Sequence, residues 1–369
     1  MKTKSDLAKL FEKYLYAANE LKKSAFVSEI IEEVFSNGFD AESIQFFATK
    51  FKKDKKQTLI KDIFQELENA DKFYEVKILN TLTSFLLETT LLIQDQILPV
   101  YFENFQAESD FRIVFKTEQI FVDHWDNFSD KLKKRVFREF LTVLENPLDF
   151  FIEEGVYEIL KIILKSKASG EYETDLFTMQ ELENLVKKLI KVAKKKKKDT
   201  LYAVFESIKR ILREYPSLVS QEIYDLLYPF FRKFKYRIAY FYPARRRYIK
   251  MGVSFLELML LFEPKFCDSD YIQYMNSILG KMAKKVDHAD VRNFLQLILT
   301  ILKKSEHMPI LKIINPALEV LKEVTQKKER LDTYTNELLR EIFDIIWPHL
   351  PEEQKSEFFD TITPENSRI

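Results

Sequence analysis

Leu201–Pro216 reads LYAVFESIKRILREYP, and its spacing decides the class of the fold. Val204, Phe205, Ile208, Ile211 and Leu212 recur three and four residues apart, which gathers them on one face of an α-helix. Glu206, Lys209, Arg210, Arg213 and Glu214 fill the rest of the circumference. Pro216 ends the run and can open the next helix, because the first helical turn makes no use of the N–H that proline lacks. Pro229, Pro243 and Pro264 punctuate the following chain in the same way.

The same periodicity extends towards the N-terminus. Ser5–Leu21 reads as a helix with Leu7, Leu10, Phe11, Tyr14 and Leu15 on one face. Phe26–Phe35 follows and stops at Asn37-Gly38, and Asp40 caps a helix that runs through Phe51. Lys52–Lys56 reads as a basic link to Leu59–Leu67. Phe73–Glu88, Leu91–Phe105, Phe111–Trp125, Asp130–Leu144 and Leu148–Leu164 continue the series, with a break at Asn146-Pro147. Lys165–Thr174, which holds Gly170, is the weakest segment. Leu176–Ala193 is amphipathic and leads into five consecutive lysines, Lys194–Lys198. Lysines at a helix C-terminus complement its dipole, so the run reads as a solvated end, with a polyanion contact or nuclear address as the alternative. Towards the C-terminus lie Tyr271–Lys285, Val291–Lys304, Met308–Val324 and Tyr334–Trp347, then Pro348 and a polar tail from about residue 351.

No segment alternates as a strand does. Helices begin roughly every twenty residues, so pairs recur at about forty, the period of armadillo and HEAT units. The predicted fold is all-α: a right-handed α-solenoid of armadillo/HEAT-like repeats, a single domain over residues 1–369. Stacked helical pairs create an extended concave face suited to binding partners. Composition agrees. Five glycines in 369 residues leave little material for tight turns, and 33 phenylalanines suit wide helix–helix grooves.

Charge and chemistry exclude several classes. Lys+Arg and Asp+Glu both number 58, so nothing global attracts nucleic acid or an anionic membrane. The single cysteine, Cys267, excludes an intramolecular disulfide and a cysteine metal cluster. The charged N-terminus lacks a signal-peptide core, and no stretch is long and apolar enough to span a membrane, so a cytoplasmic location is expected. The four histidines, His124, His288, His307 and His349, fall in no metal spacing, and Asp287-His288-x-Asp290 reads as a helix cap. Phosphate loops and nucleophile elbows are absent. No catalytic residue, cofactor or metal is expected.

One stretch departs from this pattern. Between Asp225 and Glu257 there is no acidic residue, while Arg232, Lys233, Lys235, Arg237, Arg245, Arg246, Arg247 and Lys250 interleave with aromatics. Arginine and aromatic residues dominate interface anchors, which makes this a candidate binding face. The bland alternative is a pair of buried helices whose basic residues snorkel. On a helix begun at Pro243, Arg246, Ile249, Lys250 and Val253 share one side, and Tyr242 precedes it as a cation–π support for Arg246. Tyr242, Arg245, Arg246 and Lys250 are the binding residues so predicted. A helical repeat that binds nucleic acid through residues 230–250 is the competing function.

Two segments resemble the mouse protein-25-like scaffold family, also called the calcium-binding protein 39 family. In the first, EEVFSNG at Glu32–Gly38 is similar to the family's ELYNSG-type stop, followed by Lys55, Lys56, Ile63, Phe64 and Leu67 in a KK…IF-x-x-L pattern. In the second, Phe205, Ile208, Lys209 and Leu212 resemble its F-x-x-F-K-x-L-L helix, and Phe230-Phe231 with Phe234 resemble its FF-x-x-Y. Tyr242-Pro243-Ala244-Arg245-Arg246 resembles its Y-V-T-[KR]-R, ahead of a hydrophobic helix and Phe266. The two segments cover under a third of the chain. Residues 71–200 are longer than the family's equivalent, and Lys303-Lys304-Ser305 stands where the family has F-V-A-N-P. The resemblance implies an armadillo-like crescent without catalysis. Such proteins cradle a Ste20-type kinase or pseudokinase on the concave face, hold it active, and take a short aromatic peptide in a C-terminal pocket. It implies Tyr242, Arg245, Arg246 and Phe266 on the binding side.

Overall fold

The computed structural model describes residues 5–106, 109–165, 176–195, 198–230, 258, 260–262, 295–296, 299, 302–303, 333–353 and 355. Among these residues regular structure is helical, and the strand-like feature is one isolated antiparallel bridge between Gln106 and Pro147. The chain divides into two compact units, Met1–Lys196 and Lys197–Ile369, with the division inside the lysine run. The segment read as weakest lies, beyond Lys165, outside the described residues.

Unit 1 contains α1 (Asp6–Leu15), α2 (Glu20–Asn37), α3 (Ala41–Lys50), α4 (Lys53–Gln65), α5 (Lys72–Leu87), α6 (Leu91–Glu103), α7 (Phe111–His124), α8 (Asp130–Val143), α9 (Val156–Lys165) and α10 (Met179–Lys195). Local chemistry sets most of their ends. The side chains of Ser5, Asn19, Asp71, Asp110 and Ser129 each accept from a backbone N–H in the first turn of the following helix. Asp40 caps α3, and the Ser43 hydroxyl oxygen accepts from the Asp40 N–H at 3.1 Å, closing a capping box. Gly38, at φ 68°, ends α2 in a backbone region that disfavours side chains, and its N–H donates to the Val34 carbonyl.

Two boundaries differ from the sequence reading. The helix expected over Ser5–Leu21 stops at Leu15, and Asn19 opens α2 by capping Lys22 at 3.0 Å. The cap decides the boundary although apolar spacing continues to Leu21, which is exposed. The expected link Lys52–Lys56 is mostly the first turn of α4. Lys56 is only 3% exposed, and its ammonium donates to the carbonyls of Phe51 (2.6 Å) and Ala48 (3.2 Å), which α3 leaves open at its C-terminus.

The helices of unit 1 stack in two rows. α2, α5, α7 and α9 pack side by side, and so do α4, α6 and α8. Polar bonds between elements of the stack have a similar reach along the chain. Lys77 to Glu32 spans 45 residues, Gln57 to the Gln96 carbonyl 39, Arg135 to Asp95 40, and Lys188 to Glu145 43. This interval near forty residues is the helix-pair period expected from the sequence breaks. Gln57 meets Gln96 and Lys61 meets Glu103 further along both helices, so α4 and α6 run parallel, as successive equivalents in a stack do.

Aromatic rings fill much of the core. Phe11, Phe39, Phe47, Phe51 and Phe85 form one cluster. Phe64, Tyr101, Phe102, Phe105, Phe121 and Phe151 form a second. The Tyr101 hydroxyl is satisfied by the Leu82 carbonyl at 2.6 Å, which makes its full burial tolerable. Tyr14 donates to Asp62 at 2.6 Å and ties α1 to α4.

A π-helical turn, Phe151–Gly155, precedes α9. A Cβ on Gly155 would lie 2.7 Å from the buried Phe151 ring and 3.1 Å from a Glu118 carboxylate oxygen. Phe151 cannot yield, because it stacks on Phe105 at 4.5 Å and meets Phe140 at 5.9 Å. Gly155→Ala is therefore expected to destabilise the protein by about 1–3 kcal/mol, the usual cost of overpacking. Urea titration checks this; an unchanged midpoint would contradict the packing described.

Unit 2 begins with α11 (Lys198–Glu214), followed by a short 3-10 turn at Pro216–Leu218 and a helical run over 221–230. Phe205 meets Phe230 edge-on at 5.6 Å, and Tyr224 packs on Phe262 at 5.8 Å. The helix Thr333–Ile346 buries Leu338, Ile342 and Ile346. Tyr334 reaches back 38 residues to Gln296, and Lys303 pairs with Glu341, so this unit carries the same interval.

Candidate functional site

The residues assigned to binding from sequence, Tyr242, Arg245, Arg246, Lys250 and Phe266, lie outside the described residues. Described residues flanking them belong to the core: Phe230, Leu258 and Phe262 are buried. Phe205, Ile208 and Leu212 are also buried, and Lys209 pairs with Glu206 beneath the surface at 2.6 Å. Those positions of the second resembling segment serve packing. So do Ile63 and Phe64 of the first.

The described residues assemble a different candidate surface on the row α2, α5 and α7. Phe73 is 70% exposed, Phe111 62%, Phe115 44% and Phe35 40%, with Val76 also exposed. Large apolar side chains standing together in water mark interaction sites far more often than scattered single ones. Here they alternate with ion pairs. The Lys77 ammonium lies 4.8 Å from the Phe73 ring centroid and 5.7 Å from that of Phe35. It also donates to both carboxylate oxygens of Glu32, at 2.7 and 2.6 Å. Lys116 pairs with Glu75 across α5 and α7, its ammonium 5.6 Å from the Phe115 ring.

These bonds hold the rings in place. Lys77 and Lys116 each bridge two helices, so Phe73 and Phe115 stand beside a fixed charge. A partner side chain landing here meets a pre-ordered surface and loses less freedom than on a mobile one. Between α5 and α7 the surface dips into a cleft of about 290 Å³. Its apolar walls include Leu67, Ala70, Phe111 and Phe150, and Glu75, Arg112 and Lys116 stand at its polar side. That volume admits one large side chain and a short length of its backbone. It offers apolar contact and charge.

Sequence reasoning missed this surface. Phe111 and Phe115 are one helical turn apart on α7, while the buried set is Ile113, Val114, Thr117, Glu118, Ile120 and Phe121. A helix apolar on two flanks was the available signal.

Among the described residues no group of three or more His, Cys, Asp or Glu is placed to hold a metal ion. No described helix is long and apolar enough to cross a membrane. No family model matches the chain, and no curated protein matches it. Among solved structures, the crystal structure of an engineered protein aligns with 93% of this chain and 99% of its own. The two share 10% sequence identity with a TM-score of 0.25, and the likeness carries no argument about fold or function.

Proposed function

We propose that this chain is a non-catalytic, cytoplasmic helical-repeat scaffold, a right-handed α-solenoid of armadillo/HEAT-like pairs, that binds a folded protein partner. The observation that supports it is the aromatic surface of Phe35, Phe73, Phe111 and Phe115, braced by ion pairs across three adjacent helices. The sequence resemblance supplies the partner class to test first, a Ste20-type kinase or pseudokinase. A scaffold of this kind activates such a partner by binding its active conformation better than its inactive one.

The test is biolayer interferometry of the full chain against a Ste20-type kinase domain. Phe73→Ser with Phe111→Ser is expected to weaken binding by about 1.5–3 kcal/mol, the range of anchor truncation. The melting curve should stay close to wild type, because both rings are already exposed. Arg246→Ala with Lys250→Ala is the parallel variant for the stretch singled out in the sequence. Kinase binding that neither pair of substitutions weakens would remove both surfaces from the proposal. If the wild-type chain ignored the kinase and instead bound single-stranded RNA with a steep loss in salt, nucleic acid would replace protein as the partner.

A further inference from the structure

The lysine-rich end of α10 plays no part in the aromatic surface. Lys187, Lys188, Lys191, Lys194 and Lys195 fall within an arc of about 120° on this helix, at 100° per residue. The opposite face is buried through Leu182, Leu185, Val186, Leu189, Ile190 and Ala193. Two of the five are committed: Lys187 pairs with Glu183 at 2.8 Å, and Lys188 with Glu145 at 2.9 Å and with the Leu141 carbonyl at 2.8 Å. Lys191, Lys194 and Lys195 are exposed and form no ion pair among the described residues. The field of Lys191 and Lys195 reaches Glu145, whose carboxyl is held below its usual range, first by the Lys188 hydrogen bond and then by the charges of Lys188, Lys191 and Lys195.

Dipole complementation alone does not account for this density. Lys191 stands three or four residues from Lys187, Lys188, Lys194 and Lys195, and like charges at those spacings weaken a helix. An anionic ligand on the stripe would remove that repulsion.

We propose that Lys191, Lys194 and Lys195 form a docking site for a short acidic peptide segment of a partner protein. Three observations select this occupant among polyanions. The stripe contains no arginine and no aromatic residue, so it lacks both the planar fork that grips phosphate and the platform on which unpaired bases stack. The exposed positions from Lys191 to Lys195 carry no apolar side chain to enter a membrane interface. The whole chain has zero formal net charge, so a long polyanion or a charged bilayer that covers the stripe also meets the balancing carboxylates elsewhere. A ligand no longer than the stripe meets attraction alone. From Lys187 to Lys195 the helix rises about 12 Å, which four extended residues cover.

The test is fluorescence anisotropy of a labelled hexaglutamate peptide against the full chain. The triple variant Lys191→Glu/Lys194→Glu/Lys195→Glu is compared with a charge-matched control, Lys50→Glu/Lys52→Glu/Lys53→Glu. Lys50, Lys52 and Lys53 are exposed in the same unit. The stripe variant is expected to lose at least tenfold in affinity, and the control less than threefold, with both keeping the wild-type helical circular dichroism. Equal losses in the two variants would reduce the effect to net charge and overturn the proposal. A twelve-nucleotide RNA, or vesicles with phosphatidylserine, binding tighter than the peptide and with the same dependence on the stripe would overturn it in favour of that class. No dependence on the stripe for any probe would leave these lysines a solvated helix end. Every outcome is separate from the kinase experiment, which uses variants at other positions.

Discussion

Phe11→Ala is expected to destabilise the protein by about 3–5 kcal/mol, the upper range for truncating a buried ring. Phe11 has no exposed surface, and four rings surround it. Phe47 lies 5.3 Å away, Phe51 5.6 Å, and Phe39 and Phe85 6.3 Å each. Those rings come from α3, the two segments flanking it, and α5. None can move into the vacated volume without dragging its own segment, so the cavity persists and its full cost is felt. For a unit of this size roughly 2–4 °C of melting temperature accompanies each kcal/mol, so the fall should be on the order of 10–15 °C. Calorimetry of the full chain, with its transitions fitted separately, checks this. A loss under 1 kcal/mol would mean that the ring cluster is looser than described. Phe73→Ala is the contrast, since its ring stands mostly in water and should cost no more than about 0.5 kcal/mol.

Lys56→Met is expected to cost about 2–4 kcal/mol. Methionine matches the length of the lysine stem but leaves the carbonyls of Ala48 and Phe51 without the ammonium, and a buried acceptor so stranded costs about 1–3 kcal/mol. The effect depends on pH in a defined direction. Burial lowers the pKa of Lys56 from the value of 10.5 that applies in the unfolded chain. Between the lowered value and 10.5, the unfolded chain binds more protons at this site than the folded one, so folding is favoured as pH rises. The wild type should therefore gain stability relative to Lys56→Met from neutral pH towards 10. Paired urea titrations at pH 7 and 9.5 measure this, and a gap that narrows with pH would contradict the burial of the charge.

The contrast between these two residues shows what the sequence makes legible. Phe11 sits in a three- and four-residue apolar rhythm, and that rhythm alone puts it inside. Asp40 and Gly38 were equally readable, because a cap and a left-handed stop are decided by neighbours a few residues away. Lys56 reads, from its neighbours in sequence, as part of a basic link. Its burial depends on where the end of α3 lies against α4, which no local pattern states. The exposed rings failed for the converse reason. An aromatic residue on an amphipathic helix reads as core, and only the neighbouring helices reveal that Phe73 and Phe111 stand mostly in water. The arginines and aromatics of residues 231–250 gave the strongest compositional signal, yet the surface that can be described lies on α2, α5 and α7.

The regular reach of the polar bonds, 45, 39, 40 and 43 residues along unit 1, also bears on how the chain acquires its structure. Each closure spans nearly the same length, so each has nearly the same entropic cost, and none waits for a distant part of the sequence. A nascent chain can therefore close the first of these four pairings once Lys77 has emerged, and add one helix pair after another as synthesis continues. Chains arrested at successive lengths should gain protease resistance in steps of about forty residues, the repeat length. A single late step would mean that the stack forms all at once.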